Sequence, residues 1–181
     1  MKKILIFIFF ILSLAVYAHP HVFFESDFTL KISTNKIEKI KIHLILDEMS
    51  TLLYKDEIFL DKSGNIEKNS INFLKDVQKH IHLCLNNLDL KKEFVFKNVY
   101  FQEENLILNL EIPINIKIKN GDKLIFSFYD DEYYYTYEYE KYNLNIEKTK
   151  DISIKINFLE NRKKKFYYGL ISPMEYEVIF Q

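Results

Sequence analysis

Cysteine is almost missing from this sequence. Cys84 stands alone among 181 residues, so no intramolecular disulfide can form and the fold has to rest on its apolar core. Three glycines, three prolines and no serine-rich or proline-rich run leave nothing to act as a linker between two domains. Positive charge is not in excess either. The 25 basic residues are matched by 26 acidic ones, for a net charge of −1, which gives no electrostatic reason to bind nucleic acid. No phosphate-binding glycine loop and no Ser-His-Asp or Cys-His constellation is visible. With no tryptophan at all, a tryptophan-lined substrate surface is excluded too. What the chain has instead is isoleucine, 16 phenylalanines and 13 tyrosines, a composition that favours strands over helices.

The beginning of the chain reads as an export signal. Lys2 and Lys3 form a positive start, Ile4 to Val16 is apolar apart from Ser13, and Val16-Tyr17-Ala18 carries small residues where a signal peptidase inspects the chain. The run falls short of the roughly 20 apolar residues of a spanning helix, and His19-Pro20-His21 follows it at once. Residues 1–18 are therefore expected to be a signal peptide cut after Ala18, and residues 19–181 a single mature domain, periplasmic or secreted. Losing Lys2 and Lys3 leaves 23 basic against 26 acidic residues, net −3. No cysteine near the cut can carry a lipid, so no stable membrane anchor is expected.

The mature chain reads as α+β, mainly an antiparallel β-sheet with an inserted helix-loop-helix pair. Alternation of apolar and polar residues predicts strands over 22–32, 37–46, 81–85, 94–101, 106–118, 123–129, 133–144, 152–158 and 176–180. From Asp47 the period changes, and helical spacing covers 49–59 and 71–79, the latter with Ile71, Leu74 and Val77 on one side. Asn120-Gly121 between two strand runs is a hairpin signal. The loop between the helices places Gly64 and Ile66 at the turn and hydrophobic positions of a calcium-binding loop, with Asp61 and Ser63 on ligand positions. Phe59 and Ser70 occupy the first and the bidentate ligand positions, so the charge needed to hold calcium is absent.

The chemistry starts at the new terminus. A free α-amine beside the His19 imidazole can close a chelate ring on nickel, cobalt, copper or zinc. A square-planar amide clamp is closed to this chain, because Pro20 has no amide hydrogen to lose. That leaves a brace of amine and ring nitrogen from His19, with His21 as a further nitrogen. If strands 22–32 and 37–46 form a hairpin around a three-residue loop at Ser33 to Asn35, both apolar faces point to one core. His21 then faces Asp47 and Glu25 faces His43, so the polar face gathers His19, His21, Asp47, Glu25 and His43. Plain solvent-facing residues, with Asp47 capping the next helix, are the alternative.

Three further clusters stand out. His80, His82 and Cys84 share one face if they lie on a strand, as nitrogen and sulfur ligands or as an ordinary strand start. The tyrosines of "DDEYYYTYEYEKY" place Tyr133, Tyr135, Tyr137 and Tyr139 on one side, as core plus rim or as an aromatic platform. The basic run from Asn161 to Lys165 reads as a solvated bend that can also touch anionic lipid.

The segments "AHPHVFFESDF", "LDEMSTLLYKDE", "DKSGNIE", "EIPI" and "FYDDEYYYTYEYE" occur in this order along nearly the whole mature chain. In this the sequence resembles an uncharacterised family of small periplasmic proteins labelled the periplasmic component of an ABC-type transport system, whose members often accompany NicO-type nickel and cobalt permeases. The His-Pro-His start and the Asp-Glu pair are its more specific parts. In the loop between the helices the family carries more acidic residues and glycine than this chain does. The resemblance implies a metal-related role beside a membrane metal permease or ABC-type transporter subunits. The expectation is therefore a non-enzymatic, exported accessory protein that binds a divalent transition metal through His19 and His21, aided by Asp47, and hands it to or receives it from a membrane permease. A structural envelope protein without metal, and an oxidase built on a copper brace, are the readings in other classes.

Overall fold

The computed structural model of the chain describes residues 21–56, 58, 70–90, 93–149 and 152–181. The first strand shows how sequence becomes fold here. In β1 (Val22–Ser33) the even-numbered side chains Val22, Phe24, Phe28, Leu30 and Ile32 are buried, whereas His21, Phe23, Glu25 and Asp27 are exposed. Side chains alternate faces along a strand, so one apolar stripe of period two sets which face meets the core. β2 (Lys36–Leu46) repeats the pattern with Ile40, Ile42, Leu44 and Leu46 buried.

The two strands pair antiparallel with the expected parity but in a different register. The loop is two residues, Thr34-Asn35, with Thr34 at φ 49, because Ser33 pairs with Lys36. Ile32 pairs with Ile37 and Lys31 with Lys39, which leaves Glu38 as the extra residue of a bulge. Beyond it the pairing settles at Phe24 with Leu46 and Phe28 with Ile42. A short loop plus a bulge keeps the apolar faces together as well as a three-residue loop does, so alternation alone could not separate the two.

Two short helices come next. α1 (Glu48–Tyr54) is capped by Asp47, whose carboxylate accepts the Ser50 N–H at 2.8 Å. α2 (Ile71–Lys79) buries Phe73, Leu74 and Val77, three neighbours on its inner face. The remaining strands are β3 (Ile81–Leu85), β4 (Leu88–Asp89), β5 (Val95–Gln102), β6 (Asn105–Lys117), β7 (Lys123–Phe128), β8 (Tyr135–Glu138), β9 (Leu144–Lys148), β10 (Ile154–Glu160) and β11 (Met174–Phe180).

They form two sheets, a mostly β architecture with largely antiparallel strands. One runs β5-β6-β2-β1-β8, with β9 also on β1; the other runs β10-β11-β7-β3-β4. β8 and β9 both lie parallel to β1, on either side of a 3-10 turn at Lys141–Asn143. The expected long strand over 133–144 is thus cut down to β8, and β9 begins only at its last residue, Leu144. The hairpin expected at Asn120-Gly121 is also corrected. β6 and β7 belong to different sheets, so this turn, with Gly121 at φ 89, is the corner where the chain changes layers. The Gly121 N–H donates to the Phe180 carbonyl at 2.8 Å and the Ile118 N–H to the Asn35 carbonyl at 2.7 Å, one bond to each sheet.

The core fills the space between the layers. Phe28 of the first sheet meets Phe126, Phe128 and Tyr176 of the second edge-on, at ring distances of 4.7, 6.2 and 6.0 Å. α2 closes one end, where Phe73 stacks on Phe24 at 6.5 Å and packs on Tyr54 at 4.6 Å.

Candidate functional site

The structure spreads the expected ligands along the outer face of the first sheet. His19, like the proposed signal peptide at 1–18 and Phe59, Asp61, Ser63, Gly64 and Ile66 of the calcium-like loop, lies outside the described residues. His43 pairs with Asp27, not with Glu25, and Glu25 pairs with Ile45 and Glu138. His43 is also held within its own row. Its Nδ1 lies 2.7 Å from Asn109 Oδ1, and Asn109 Nδ2 donates to Asn98 Oδ1 at 2.6 Å. Asp47 lies past the end of the β1–β2 ladder. Its N–H donates to the Phe23 carbonyl at 3.3 Å and its carboxylate caps α1. His21 precedes Asp27 by six residues, so it and His43 stand roughly 20 Å apart at strand rise. Among the described residues no three His, Cys, Asp or Glu side chains converge as a metal site requires. Glu25, His43 and Asp47 therefore do not complete a coordination shell around His21.

His21 itself is placed in a telling way. It is exposed at the start of β1, next to the Val22 N–H, which donates to the Tyr134 carbonyl at 2.8 Å. Its Nδ1 lies 2.8 Å from the Tyr133 carbonyl. A carbonyl only accepts, so Nδ1 carries the hydrogen, and Nε2 of the neutral ring keeps a free lone pair. Tyr133, at φ 60, also sets its ring edge-on to the imidazole at 5.4 Å. The next residues back in that loop are Glu132, Asp131 and Asp130.

Asp130 leads inward. Its carboxylate is buried and accepts the N–H groups of Glu132, Tyr134 and Tyr135 at 3.1, 2.9 and 3.1 Å. This Asx-like closure forces the loop to turn and delivers Tyr135 into β8. His80 Nε2 lies 3.4 Å from Asp130 Oδ1, and its Nδ1 lies 2.8 Å from the Tyr137 hydroxyl. With Tyr137 donating to Nδ1, the ring proton sits on Nε2 beside the carboxylate, which satisfies a neutral imidazole on both sides. Burial pushes the His80 pKa below its ordinary value, against the opposing pull of Asp130. Burial also raises Tyr135 and Tyr137 far above the usual phenol range, so neither ionises near neutrality. The Tyr54 and Tyr135 hydroxyls meet at 3.3 Å and extend the network to α1.

Of the three residues expected on one face, His82 and Cys84 do share the half-exposed face of β3, whereas His80 lies before the strand and is the one that departs. His80 is the C-terminal cap of α2 and turns into the core. His82 stacks flat on Tyr129 at 3.9 Å, and the Cys84 thiol donates to Asp89 at 2.9 Å. The tyrosine run is core plus rim: Tyr137 stacks on Phe24 at 4.8 Å, and the Tyr139 hydroxyl donates to the Met174 carbonyl at 2.8 Å. Sequence reasoning singled out His80 and Tyr137 separately but not their partnership. Their separation of 57 residues leaves no local signal, and Asp130 was missed as one acid in a run of three.

With this geometry in view, the chain matches across residues 4–160 the model of a family described as a protein of unknown function, DUF1007. The chain belongs to that family. The DUF1007 match takes in β1 to β10, and with them the His21 end, the Asp130 loop and the His80 network; the segment from Asn161 and β11 lie beyond it. No curated protein matches the chain.

Proposed function

We propose that this DUF1007 chain is an exported accessory protein of a divalent-metal transport system. In this reading the chain is processed after Ala18 and takes nickel, cobalt, copper or zinc with the α-amine and imidazole of His19 together with His21, then exchanges it with a membrane permease or ABC-type transporter subunits. The observation that carries the reading is the hydrogen bond from His21 Nδ1 to the Tyr133 carbonyl. Fixing one ring nitrogen on a backbone carbonyl orients the other as a ligand, which is the arrangement metal-binding histidines use. Asp47 is bound up as a helix cap and Asp130 is buried against His80, so the exposed carboxylates nearest in sequence to Tyr133 are Asp131 and Glu132. Among the described residues no helix is long and apolar enough to cross a membrane.

The test is a calorimetric titration with each metal of three forms: the chain beginning at His19, the same chain extended by an N-terminal Met or Gly, and His21→Ala. The form beginning at His19 is expected to bind one equivalent. Extension or loss of His21 should weaken binding by roughly tenfold or more, the scale on which even outer contacts of a ligand act. Equal binding by all three forms, or none by the first, overturns the proposal and leaves a structural or adaptor role in the envelope. Mass measurement of the exported protein checks the cleavage itself.

A further inference from the structure

The loop joining β10 to β11 presents two apolar side chains to solvent on a backbone built to hold them there. Tyr168 is 94 % exposed and Leu170 74 %. Beneath them Phe166 and Ile171 bridge antiparallel, with Phe166 buried and stacked on Tyr129 at 4.8 Å. The Leu170 N–H donates to the Tyr167 carbonyl at 3.1 Å, closing a turn whose central residues Tyr168 and Gly169 have φ 56 and 78. That is the positive-φ pattern of a primed turn. Tyr167 too has positive φ, 47, so two consecutive aromatic residues occupy a region that bulky side chains avoid. The Tyr167 N–H is fixed to the Asp131 carbonyl at 3.0 Å. A strained, well-anchored tip with its apolar groups outward points to a function for the exposure.

Its setting is basic. Arg162 to Lys165 precede the tip; Arg162 pairs with Glu160 at 2.8 Å, and the Lys164 ammonium lies over the Tyr129 ring at 5.2 Å. Lys163 and Lys165 are exposed, with no carboxylate partner among the described residues. Asp131 and Glu132 bring opposing charge to the base of the loop. An amphipathic tyrosine and a leucine at a tip flanked by free lysines match the chemistry of a bilayer interface, where aromatic rings sit at headgroup level and cations meet anionic headgroups.

We infer that the Phe166–Ile171 loop docks this protein reversibly on an anionic lipid surface. A ladder of ring contacts links the tip to the start of β1: Tyr168 meets Tyr167 at 5.4 Å, Tyr167 meets Tyr133 at 5.2 Å, and Tyr133 meets His21 at 5.4 Å. Docking by this tip brings the His21 end towards the membrane. Lipid contact itself stands without a metal; only its purpose, delivery to a permease, rests on the proposed function.

The test is co-sedimentation of metal-free mature protein with phosphatidylglycerol-containing vesicles and with pure phosphatidylcholine vesicles, at low salt and at roughly 0.15 M, where the screening length falls to about 8 Å. Binding is expected to the anionic vesicles only and to weaken with salt. Lys163→Ala with Lys165→Ala should lower partitioning roughly 30-fold. Tyr168→Ser with Leu170→Ser should lower it about tenfold or more, with an unchanged circular dichroism spectrum because both side chains project into solvent. Failure of the unaltered protein to bind, equal binding to both lipids, or variants that bind like the parent overturns the inference; the first of these outcomes turns the tip over to a protein partner. Vesicle binding without metal uptake, or the reverse, tells the two proposals apart.

Discussion

Acid should destabilise this protein through His80 before it acts on the carboxylates. The imidazole is buried between the Tyr137 hydroxyl and the Asp130 carboxylate, and both contacts suit the neutral ring. Burial depresses its pKa from the ordinary 6.5, the Asp130 charge opposing but not overcoming this. In the unfolded chain the same ring takes up a proton at about pH 6.5. Below that pH the unfolded state holds the extra proton, so stability must fall as pH falls, by up to about 1.4 kcal/mol per pH unit, until the folded ring also protonates. Above pH 6.5 the contribution is complete. The assay is urea unfolding followed by far-UV circular dichroism or tyrosine fluorescence, from about pH 8 to about pH 5, a range chosen to stay above the ordinary carboxylate values. His80→Gln removes the titration; it should be less stable overall by about 1–3 kcal/mol, from the polar partners left unpaired, but flatter across that range. If the two proteins give parallel curves, or the parent grows more stable as the medium acidifies, the reasoning is refuted. Should His80→Gln not fold, the titration of the His80 ring followed by NMR in the parent serves instead: an apparent pKa at or above 6.5 is the refuting result.

Three other substitutions probe the same geometry. Asp47→Ala should cost about 1 kcal/mol through loss of the α1 cap, lowering Tm by roughly 2–4 °C for a chain of this size. Asp47→Asn should restore most of that, and metal uptake should not change in either. Thr51→Val keeps the shape but removes the hydroxyl that accepts the Leu106 N–H at 2.9 Å where β2 has ended. The buried amide left behind should cost about 1–3 kcal/mol and exchange its hydrogen faster, whereas Thr51→Ser should spare it. Phe28→Ala opens a hole between the two sheets, and calorimetry should register a loss of about 3–5 kcal/mol; a much smaller loss would mean that the layers are not held by this ring cluster.

Period and composition carried the reading of the sequence a long way. The spacing of Leu74 and Val77 marked α2, the alternation in 22–32 and 37–46 marked both the strands and their buried faces, and the strand expected over 81–85 does end there, at a turn whose Asn86 and Asn87 have φ 51 and 67. These features are local: each residue's neighbours in sequence are also its neighbours in space, so a pattern of two or of three to four residues is enough. Even the parity of the β1–β2 pairing was legible, because only one parity keeps both apolar stripes in the core.

Register was not, and with it went the expected meeting of Glu25 with His43. A two-residue loop with a bulge at Glu38 and a three-residue loop satisfy the same hydrophobic pattern, and the choice between them depends on how β6 and β1 flank the strand. Division into two sheets was equally hidden, since Asn120-Gly121 turns the chain just as well at a corner as in a hairpin. What the sequence alone determined is which faces are apolar and where the chain turns. Tertiary packing decided that His80 goes inward to Tyr137 and Asp130 while His21 stays outward against Tyr133, because burial of a polar ring is settled by partners distant in the chain, which no local period encodes.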